Sequence, residues 1–470
     1  MSATTSSRST SGLMGFVHRR RRGAELFLLV LALAVGVGAY AAVGIGVQEE
    51  VPANMVGYAG WLAALTVFAH VVIRFVAPYA DPVLLPVVAA LNGLGLAVIH
   101  RLDLADGSSD VARAQLTWMT LGIALFALTL IVLRDHRRLT RLTYTSGLAA
   151  LILLVLPMLP GLGKTINGAK IWIGVGPFSF QPGEIAKLLL VITFAGYLVL
   201  HRDALALAGR RVLFVDLPRG RDLGPILVMW GVSLMILIAQ RDLGSSLLFF
   251  GLFLVMLYVS TERPGWLVVG GLLFAAGASA AYALTPHVQR RFDIWVDPFA
   301  YYGEGTSDQS RQLVESMFGM AWGGLLGRGF GEGSPWRISY ANSDFIMGAI
   351  GEELGLTGVL AVLVMYGIIV ERGLRAALIS RDGFGKLLAT GLASVFALQV
   401  FVVIGGVTRL IPLTGLTTPF LSAGGSSLVA NWVIIALLLR VSDLARRPVP
   451  DLSTDDDDSD SEATQVVRLP

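Results

Sequence analysis

Cysteine is absent from all 470 residues, which excludes disulfides, thiolate zinc sites and a cysteine nucleophile. Histidine is scarce, and the six imidazoles at 18, 70, 100, 136, 201 and 287 never fall at metal-ligand spacing. Charge is scarce too: Asp, Glu, Lys and Arg make up 15% of residues against 54% hydrophobic, and the mean hydropathy is +0.70. A soluble domain does not carry that balance. The chain is read as an integral membrane protein surrounded by a lipid bilayer, with no nucleic-acid partner, and its chemistry must rest on carboxylates, basic groups, hydroxyls or backbone.

What the sequence has in quantity is long apolar runs. A bilayer core requires about 20 apolar residues per helical crossing, because each backbone N–H and C=O must be satisfied within the segment. Twelve such runs lie at 25–47, 57–77, 82–100, 116–133, 144–158, 183–200, 223–240, 245–259, 265–284, 344–370, 387–408 and 427–443. Several are short or glycine-rich, so ten to twelve spans are expected, in an all-α polytopic bundle. The first run follows "HRRRRG" and is too long for a secretory signal, which makes it an uncleaved first helix. An even number of spans puts both termini on one side. With that side cytoplasmic, most of the 36 Lys and Arg fall inside, notably in "RDHRRLTR" (134–141) and in segment 201–222. The expected organisation is a basic N-terminus (1–24), a membrane domain (25–443) and an acidic, disordered cytoplasmic tail (444–470) containing "STDDDDSDSEATQ".

The outer segments then become 48–56, 101–115, 159–182, a turn near 241–244, the long segment 285–343, and 409–426. Two motifs there carry no nucleotide site. "MLPGLGKT" (158–165) has Met158 where a phosphate-binding loop needs its first glycine, and "GRGFGEG" (327–333) lacks a βαβ context. Four stretches are more informative. "NGAKIWIGVGPFSFQPGEIAKLLL" (167–190) brings Lys170 and Trp172 into an aromatic loop that leads to a helix start at Pro182, with Glu184 and Lys187 one turn apart. Such a pair can be an intrahelical ion pair that eases insertion, but charges near a bilayer default to function. "AQRDLGSS" (239–246) places Gln240, Arg241 and Asp242 in a turn that can cap the next helix. "NSDFIMGAIGEELG" (342–355) offers Asp344 as a cap and buries Glu352 and Glu353, which implies a polar cavity in the bundle. "RLIPLTGLTTPFLSAGGSS" (409–427) breaks an apolar pattern with prolines, glycines and hydroxyls, a backbone that survives in a membrane only when covered. Together they describe a polar cleft open to the outer face and flanked by lipid, suited to a ligand with an anionic head and a long apolar tail.

"FQPGEIAK", "QRDLGSS", "SDFIMGAIGEELG" and "PLTGLTTPFLSAGGSS", in this order, resemble the SEDS family (shape, elongation, division and sporulation), over roughly residues 60 to 443. The resemblance implies a ten-helix core with about two extra N-terminal spans. It also implies polymerisation of peptidoglycan glycan strands from lipid II at the outer face of the cytoplasmic membrane, beside a class B penicillin-binding transpeptidase. The short tail favours an elongation-type member over a division-type one. The candidate substrate-binding positions are Lys170, Trp172, Gln181, Glu184, Lys187, Gln240, Arg241, Asp242, Arg290, Arg291, Asp344, Glu352, Ser422, Gly424, Gly425 and Ser426, of which Gln181, Glu184, Lys187, Gln240, Arg241, Asp242, Ser422, Gly424, Gly425 and Ser426 are carried over by motif. Gly183 stands where the family has serine, Arg241 where it has proline, and the last motif loses its aromatic residue at Ala423.

The long outer segment departs further. Family members carry a second Asp-Pro before Gly-Tyr-Gln, and its aspartate is the proposed catalytic residue; here one Asp-Pro, Asp297–Pro298, precedes "FAYYGEGTSDQSRQLVES". Asp297, Glu304 and Asp308 are therefore the candidate bases, with Asp297 favoured by its Asp-Pro context beside Arg290, Arg291 and Trp295. Glycosidic-bond formation from a sugar-diphosphate lipid needs a base for the acceptor hydroxyl and positive charge for the leaving diphosphate. Asp297 supplies the first, and Lys187, Arg241, Arg290 and Arg291 are candidates for the second. A Mg²⁺ or Mn²⁺ ion could assist, although no carboxylate cluster demands one. A lipid-precursor flippase or proton-coupled carrier is the rival reading, since broken helices and buried Glu352 and Glu353 suit it; the lack of an internal repeat and the crowding of polar groups on one face weigh against it. A non-catalytic scaffold would leave the outer carboxylates without a role.

Overall fold

A computed structural model describes residues 22–107, 110–166, 168–175, 178–202, 210–212, 215–217, 220–303 and 308–448. Among them are fifteen α-helices. The first nine are α1 (Arg22–Gln48), α2 (Met55–Val76), α3 (Leu84–Asp106), α4 (Val111–Val132), α5 (Thr143–Val155), α6 (Pro182–Leu200), α7 (Gly220–Ala239), α8 (Leu243–Thr261) and α9 (Gly265–Leu284). Then follow α10 (Pro286–Val296), α11 (Asp308–Gly323), α12 (Ile346–Glu353), α13 (Gly355–Ile379), α14 (Gly383–Val407) and α15 (Gly425–Arg446). Eleven helical segments are long and apolar enough to cross a membrane, and the stretch Gly224–Ala239 of α7 is a shorter apolar helix. These account for the twelve expected runs, and the chain is a multi-pass membrane protein.

Helices α3, α6, α14 and α15 form the buried centre, whereas α1, α2, α5 and α13 turn much of their surface outward and α9 turns nearly all of it. Small residues decide how closely the backbones approach. A Cβ added to Gly36 of α1 would lie 2.9 Å from the Cα of Gly93 in α3, so these helices touch backbone to backbone. Helix α1 is thereby part of the bundle, and α2 packs on α1 and α4. At one end of it, Arg22 donates to the carbonyl of Pro78 (3.0 Å) and Tyr79 N–H donates to Asp443 (2.8 Å). The start of α1 and the end of α15 thus meet on the same loop and the same side.

Three expectations about the connections are corrected. Segment 285–343 is largely helical, with α10 and α11 joined to α12 by turns. Apolar periodicity did not announce α10, because it is a short helix with a polar face. The expected span at 344–370 is split: α12 ends at Glu353, Gly355 takes φ +67°, and the crossing helix is α13. Asp344 does not cap α12, whose N-cap is Phe345. Segment 159–182 contains a three-stranded antiparallel sheet of β1 (Gly163–Ile166), β2 (Ala169–Val175) and β3 (Phe178–Phe180), and a hairpin of β4 (Arg210–Val212) with β5 (Val215–Leu217) follows α6. Lys164 of the dismissed phosphate-loop match lies in β1, with no helix behind it. Most of the basic N-terminus and the acidic tail from residue 449 fall outside the described residues.

The Gly36–Gly93 contact predicts a sharp positional effect. Gly36→Val should lower stability by about 1–3 kcal/mol through overpacking. Gly38→Val, on the same helix with nothing within 4 Å of its added Cβ, should melt with the wild type. Thermal unfolding of the purified protein in detergent checks both; equal melting of the two variants would contradict the backbone contact.

Candidate functional site

At the opposite end of the bundle, five segments converge. Pro182 occupies the first turn of α6, where its missing N–H costs nothing, and the preceding Gln181 N–H donates to Ser426 Oγ of α15 at 2.9 Å. One turn into α6, Glu184 and Lys187 form a buried ion pair at 2.6 Å. Lys187 Nζ also donates to Gln399 Oε1 of α14 (2.9 Å), and Gln399 Nε2 donates to the Thr417 carbonyl (2.8 Å). The broken segment 409–424 is therefore covered, as its composition required, and one of its carbonyls is satisfied from the bundle core.

The turn between α7 and α8 adds Asp242, which caps α8 by accepting from Ser245 N–H at 2.9 Å. Burial raises its carboxyl above the usual range and Glu184 adds to the effect; the Ser245 bonds and Arg291 oppose it. Gln240 anchors the same turn, its side chain donating to the Leu154 carbonyl and its own carbonyl accepting from Lys170 N–H at 3.3 Å. Arg291 of α10 donates to the carbonyls of Leu413 (2.9 Å) and Thr414 (3.1 Å). Burial lowers its guanidinium pKa, while the charges of Asp242 and Asp344 hold it up. Asp344 in turn is pushed up to about 6 by burial, with Arg291 and Ser343 opposing. Its loop is docked onto the last motif, where Ser422 Oγ donates to the Ser343 carbonyl (2.5 Å) and Ala423 N–H to the Asn342 carbonyl (2.7 Å). Gly424 N–H donates to Gln115 (3.3 Å), and a side chain on Gly425 would collide with the Trp118 ring.

Gln181, Glu184, Lys187, Gln240, Asp242, Arg291, Asp344, Ser422, Gly424, Gly425 and Ser426 are thus linked by contacts or mutual fields. Lys170 and Trp172 lie on β2, with Lys170 Nζ donating to the Met158 carbonyl (3.1 Å). Arg241 and Arg290 are exposed. Arg241 has φ +62°, which no proline can adopt, so the residue that departs from the family pattern also departs in backbone shape.

Asp297 follows the last residue of α10 and is exposed; its Oδ1 accepts from Ala300 N–H at 3.2 Å. The helix that carries it is pinned to segment 409–424, since Trp295 Nε1 donates to the Arg409 carbonyl (3.1 Å) and Arg409 Nε to the Trp295 carbonyl (2.8 Å). Glu304 lies outside the described residues, and Asp308 begins α11 with its side chain likewise outside them.

Glu352 and Glu353 require a correction: they do not open a polar cavity within a span. Glu353 pairs with Arg101 of α3 at 2.9 Å and accepts from Gly331 N–H, while Glu352 accepts from Ser334 N–H at 2.6 Å. Arg101 also donates to the carbonyls of Gly331 and Gly333, so the glycine-rich stretch 327–333 is a loop clamped by buried charge. Sequence reading missed Gln399, whose signal was a lone amide inside "ASVFALQVFVV", and Arg101, the partner of Glu353. Among the described residues no three carboxylate or imidazole groups converge as metal ligands.

Buried pairing changes the expectation for Glu184 and Lys187. Removing one partner leaves an uncompensated buried charge, a loss of about 3–5 kcal/mol. Glu184→Gln and Lys187→Gln singly should therefore lower folded yield and melting temperature, and the double variant should recover both in part. Singles that melt like the wild type would contradict the pairing.

Comparison with known proteins places this arrangement. The profile of the FTSW_RODA_SPOVE family, described as "Cell cycle protein", matches residues 82–447. Peptidoglycan glycosyltransferase RodA of Mycobacterium tuberculosis (strain ATCC 25618 / H37Rv) is 47% identical over 437 residues, covering 91% of this chain and 92% of that protein. Probable peptidoglycan glycosyltransferase FtsW of Geobacter sulfurreducens (strain DL-1 / KN400) is 31% identical over 374 residues, covering 77% and 95%. A solved chain from work on structural coordination of polymerization and crosslinking by a peptidoglycan synthase complex superposes with a TM-score of 0.63 at 28% identity, covering 77% of this chain and 97% of that one. The match spans the whole convergent end of the bundle, from Gln181 through Asp344 to Ser426, and the chain belongs to the FTSW_RODA_SPOVE family, the SEDS family that its four motifs resemble.

Proposed function

We propose that this chain is a peptidoglycan glycosyltransferase that polymerises lipid II at the outer face of the cytoplasmic membrane, in the elongation branch of its family. One observation carries the reading: among the charged groups gathered at this end of the bundle, the structural ones are paired and wholly or partly buried, while a carboxylate and two guanidiniums are exposed. Lys187 is held by Glu184 and Gln399, and Arg291 by two carbonyls and two aspartates. Asp297, Arg241 and Arg290 are exposed. Lys187 and Arg291 therefore shape the site, and Arg241 and Arg290 take the diphosphate.

In the reaction, the Asp297 carboxylate accepts the proton of the acceptor sugar's hydroxyl as that oxygen bonds to the donor's anomeric carbon. The anomeric C–O bond to the diphosphate breaks, and the negative charge gained by the leaving group is stabilised by the two guanidiniums. Asp297 Oδ2 has no hydrogen-bond partner among the described residues and is free to take that proton. The outward lipid-facing surfaces of the bundle are suited to the polyprenyl chain. The solved relative's association of polymerization with crosslinking supports a class B transpeptidase as partner.

Orientation follows from charge. Arg134, Arg137, Arg138 and Arg141 are exposed around the turn His136–Leu142, which packs against α15, and this supports a cytoplasmic side for both termini. Single cysteines are clean probes in a chain without one. Tyr340→Cys should react with an impermeant thiol reagent in intact cells and Arg138→Cys only after permeabilisation; the reverse pattern would invert the topology.

Asp297→Asn preserves shape and the Ala300 bond but cannot accept a proton. It should lower polymerisation of lipid II by a factor on the order of 10² to 10⁴ while the substrate still binds. Near-normal polymerisation by this variant, with collapse in Glu304→Gln or Asp308→Asn, would move the role to that residue. Normal activity in all three would end the carboxylate-base mechanism for this segment.

A further inference from the structure

His287 has no role in the mechanism above, yet it sits among its cations. It lies in the first turn of α10, directly after Pro286. His287, Arg290 and Arg291 are spaced i, i+3 and i+4, so they share one face of the helix. Arg241, on the separate α7–α8 turn, acts on the same imidazole. Nε2 of His287 is buried with no hydrogen-bond partner among the described residues. Neither Arg241 nor Arg290 has a side-chain acceptor among the described residues.

The surrounding charges can be assigned by element. On α10, Arg291 is offset by Asp242 and Asp344. On the α7–α8 turn, Asp242 is engaged with Ser245 and lies in the fields of Glu184 and Arg291. Helix α9, which packs on α10, carries no Asp, Glu, Lys, Arg or His. Segment 409–414 contributes Arg409, whose guanidinium is held by the carbonyls of Trp295 and Val296. Burial lowers the pKa of His287, and Arg291, Arg241 and Arg290 lower it further, with no carboxylate among the groups acting on it. The imidazole is thus neutral near pH 7 beside two guanidiniums without a counter-ion among the described residues.

We propose that Arg241, Arg290 and His287 form a diphosphate-binding site in which the imidazole takes up a proton as the diphosphate binds. This rests on the glycosyltransferase reading, which requires a lipid diphosphate at this end of the bundle. Two guanidiniums on separate elements match the two phosphates of a diphosphate diester better than a single phosphate. A bound ligand of two negative charges offsets the field of Arg241 and Arg290 at the imidazole, so the imidazole of the complex takes up a proton more readily than that of the empty site. By linkage, binding tightens as pH falls toward the depressed pKa of the empty site.

The test is direct binding of a fluorescent short-chain lipid II to the full-length protein in phosphatidylcholine nanodiscs. The charge of that diphosphate diester is constant from about pH 5.5 to about pH 8, so a pH slope belongs to the protein. The wild-type Kd should fall by about tenfold as the pH drops from about 8 to about 5.5. His287→Gln should bind like the wild type near pH 8, where the native imidazole is neutral, and vary less than about twofold across the range. Arg241→Gln and Arg290→Gln should each bind at least about tenfold more weakly at every pH. A full pH slope in His287→Gln overturns the proton uptake, and wild-type affinity in both arginine variants overturns the site. Competition by phosphatidylglycerol as strong as by unlabelled lipid II would reassign the site to a single-phosphate headgroup and overturn the diphosphate claim. None of these readouts uses turnover: binding with the predicted slope by a protein that makes no polymer would refute the glycosyltransferase reading and leave this site standing.

Discussion

The guanidinium of Arg291 is the constraint on which this end of the bundle depends. It donates to the carbonyls of Leu413 and Thr414 and lies in the fields of Asp242 and Asp344. Helix α10, the α7–α8 turn, the approach to α12 and the broken segment after α14 are thereby tied to one charge. Two aspartates withdrawn from water would be costly apart from a cation, and a partly buried guanidinium would be costly apart from them. Each segment therefore has its position fixed by the others. Lys187 repeats the device within the core, joining α6 to α14 through Gln399.

A frame held in this way leaves other groups at liberty. The same end of the bundle separates charges that are paired and at least partly buried from charges that are exposed, and adjacent residues fall on opposite sides of that division. Arg291 is inside and Arg290 outside because successive residues on a helix point about 100° apart. Asp242 caps a helix, while Arg241 beside it stands in a left-handed conformation with its side chain exposed. A glycosyltransferase that must hold a diphosphate and release it needs cations that are positioned by a rigid support but not already neutralised.

Much of this was legible in the sequence. Apolar runs of bilayer length gave the crossings, Pro182 marked a helix start, and the four motifs named residues that do meet. What was illegible was non-local or balanced. Glu352 and Glu353 read as carboxylates in a membrane because their partners, Arg101 and the backbone of the glycine-rich loop, are distant in sequence or carry no side-chain signal. Helices α10 and α11 were hidden because surface helices with polar faces lack an apolar run. The difference between Arg290 and Arg291 depends on helix rotation, which the dipeptide does not encode. Gln399 was visible as a lone amide in an apolar run, but its link to Lys187 required the packing of α6 against α14.

The central claim is that the exposed groups at this end of the bundle carry out a group transfer and do not move a lipid between leaflets. Purified protein supplied with labelled lipid II tests it most directly, with polymer scored in detergent micelles and leaflet exchange scored in sealed vesicles. The account predicts glycan polymer in micelles, where no second leaflet exists, and no exchange in vesicles above the protein-free rate. Exchange of lipid II in vesicles with no polymer in either setting would contradict it.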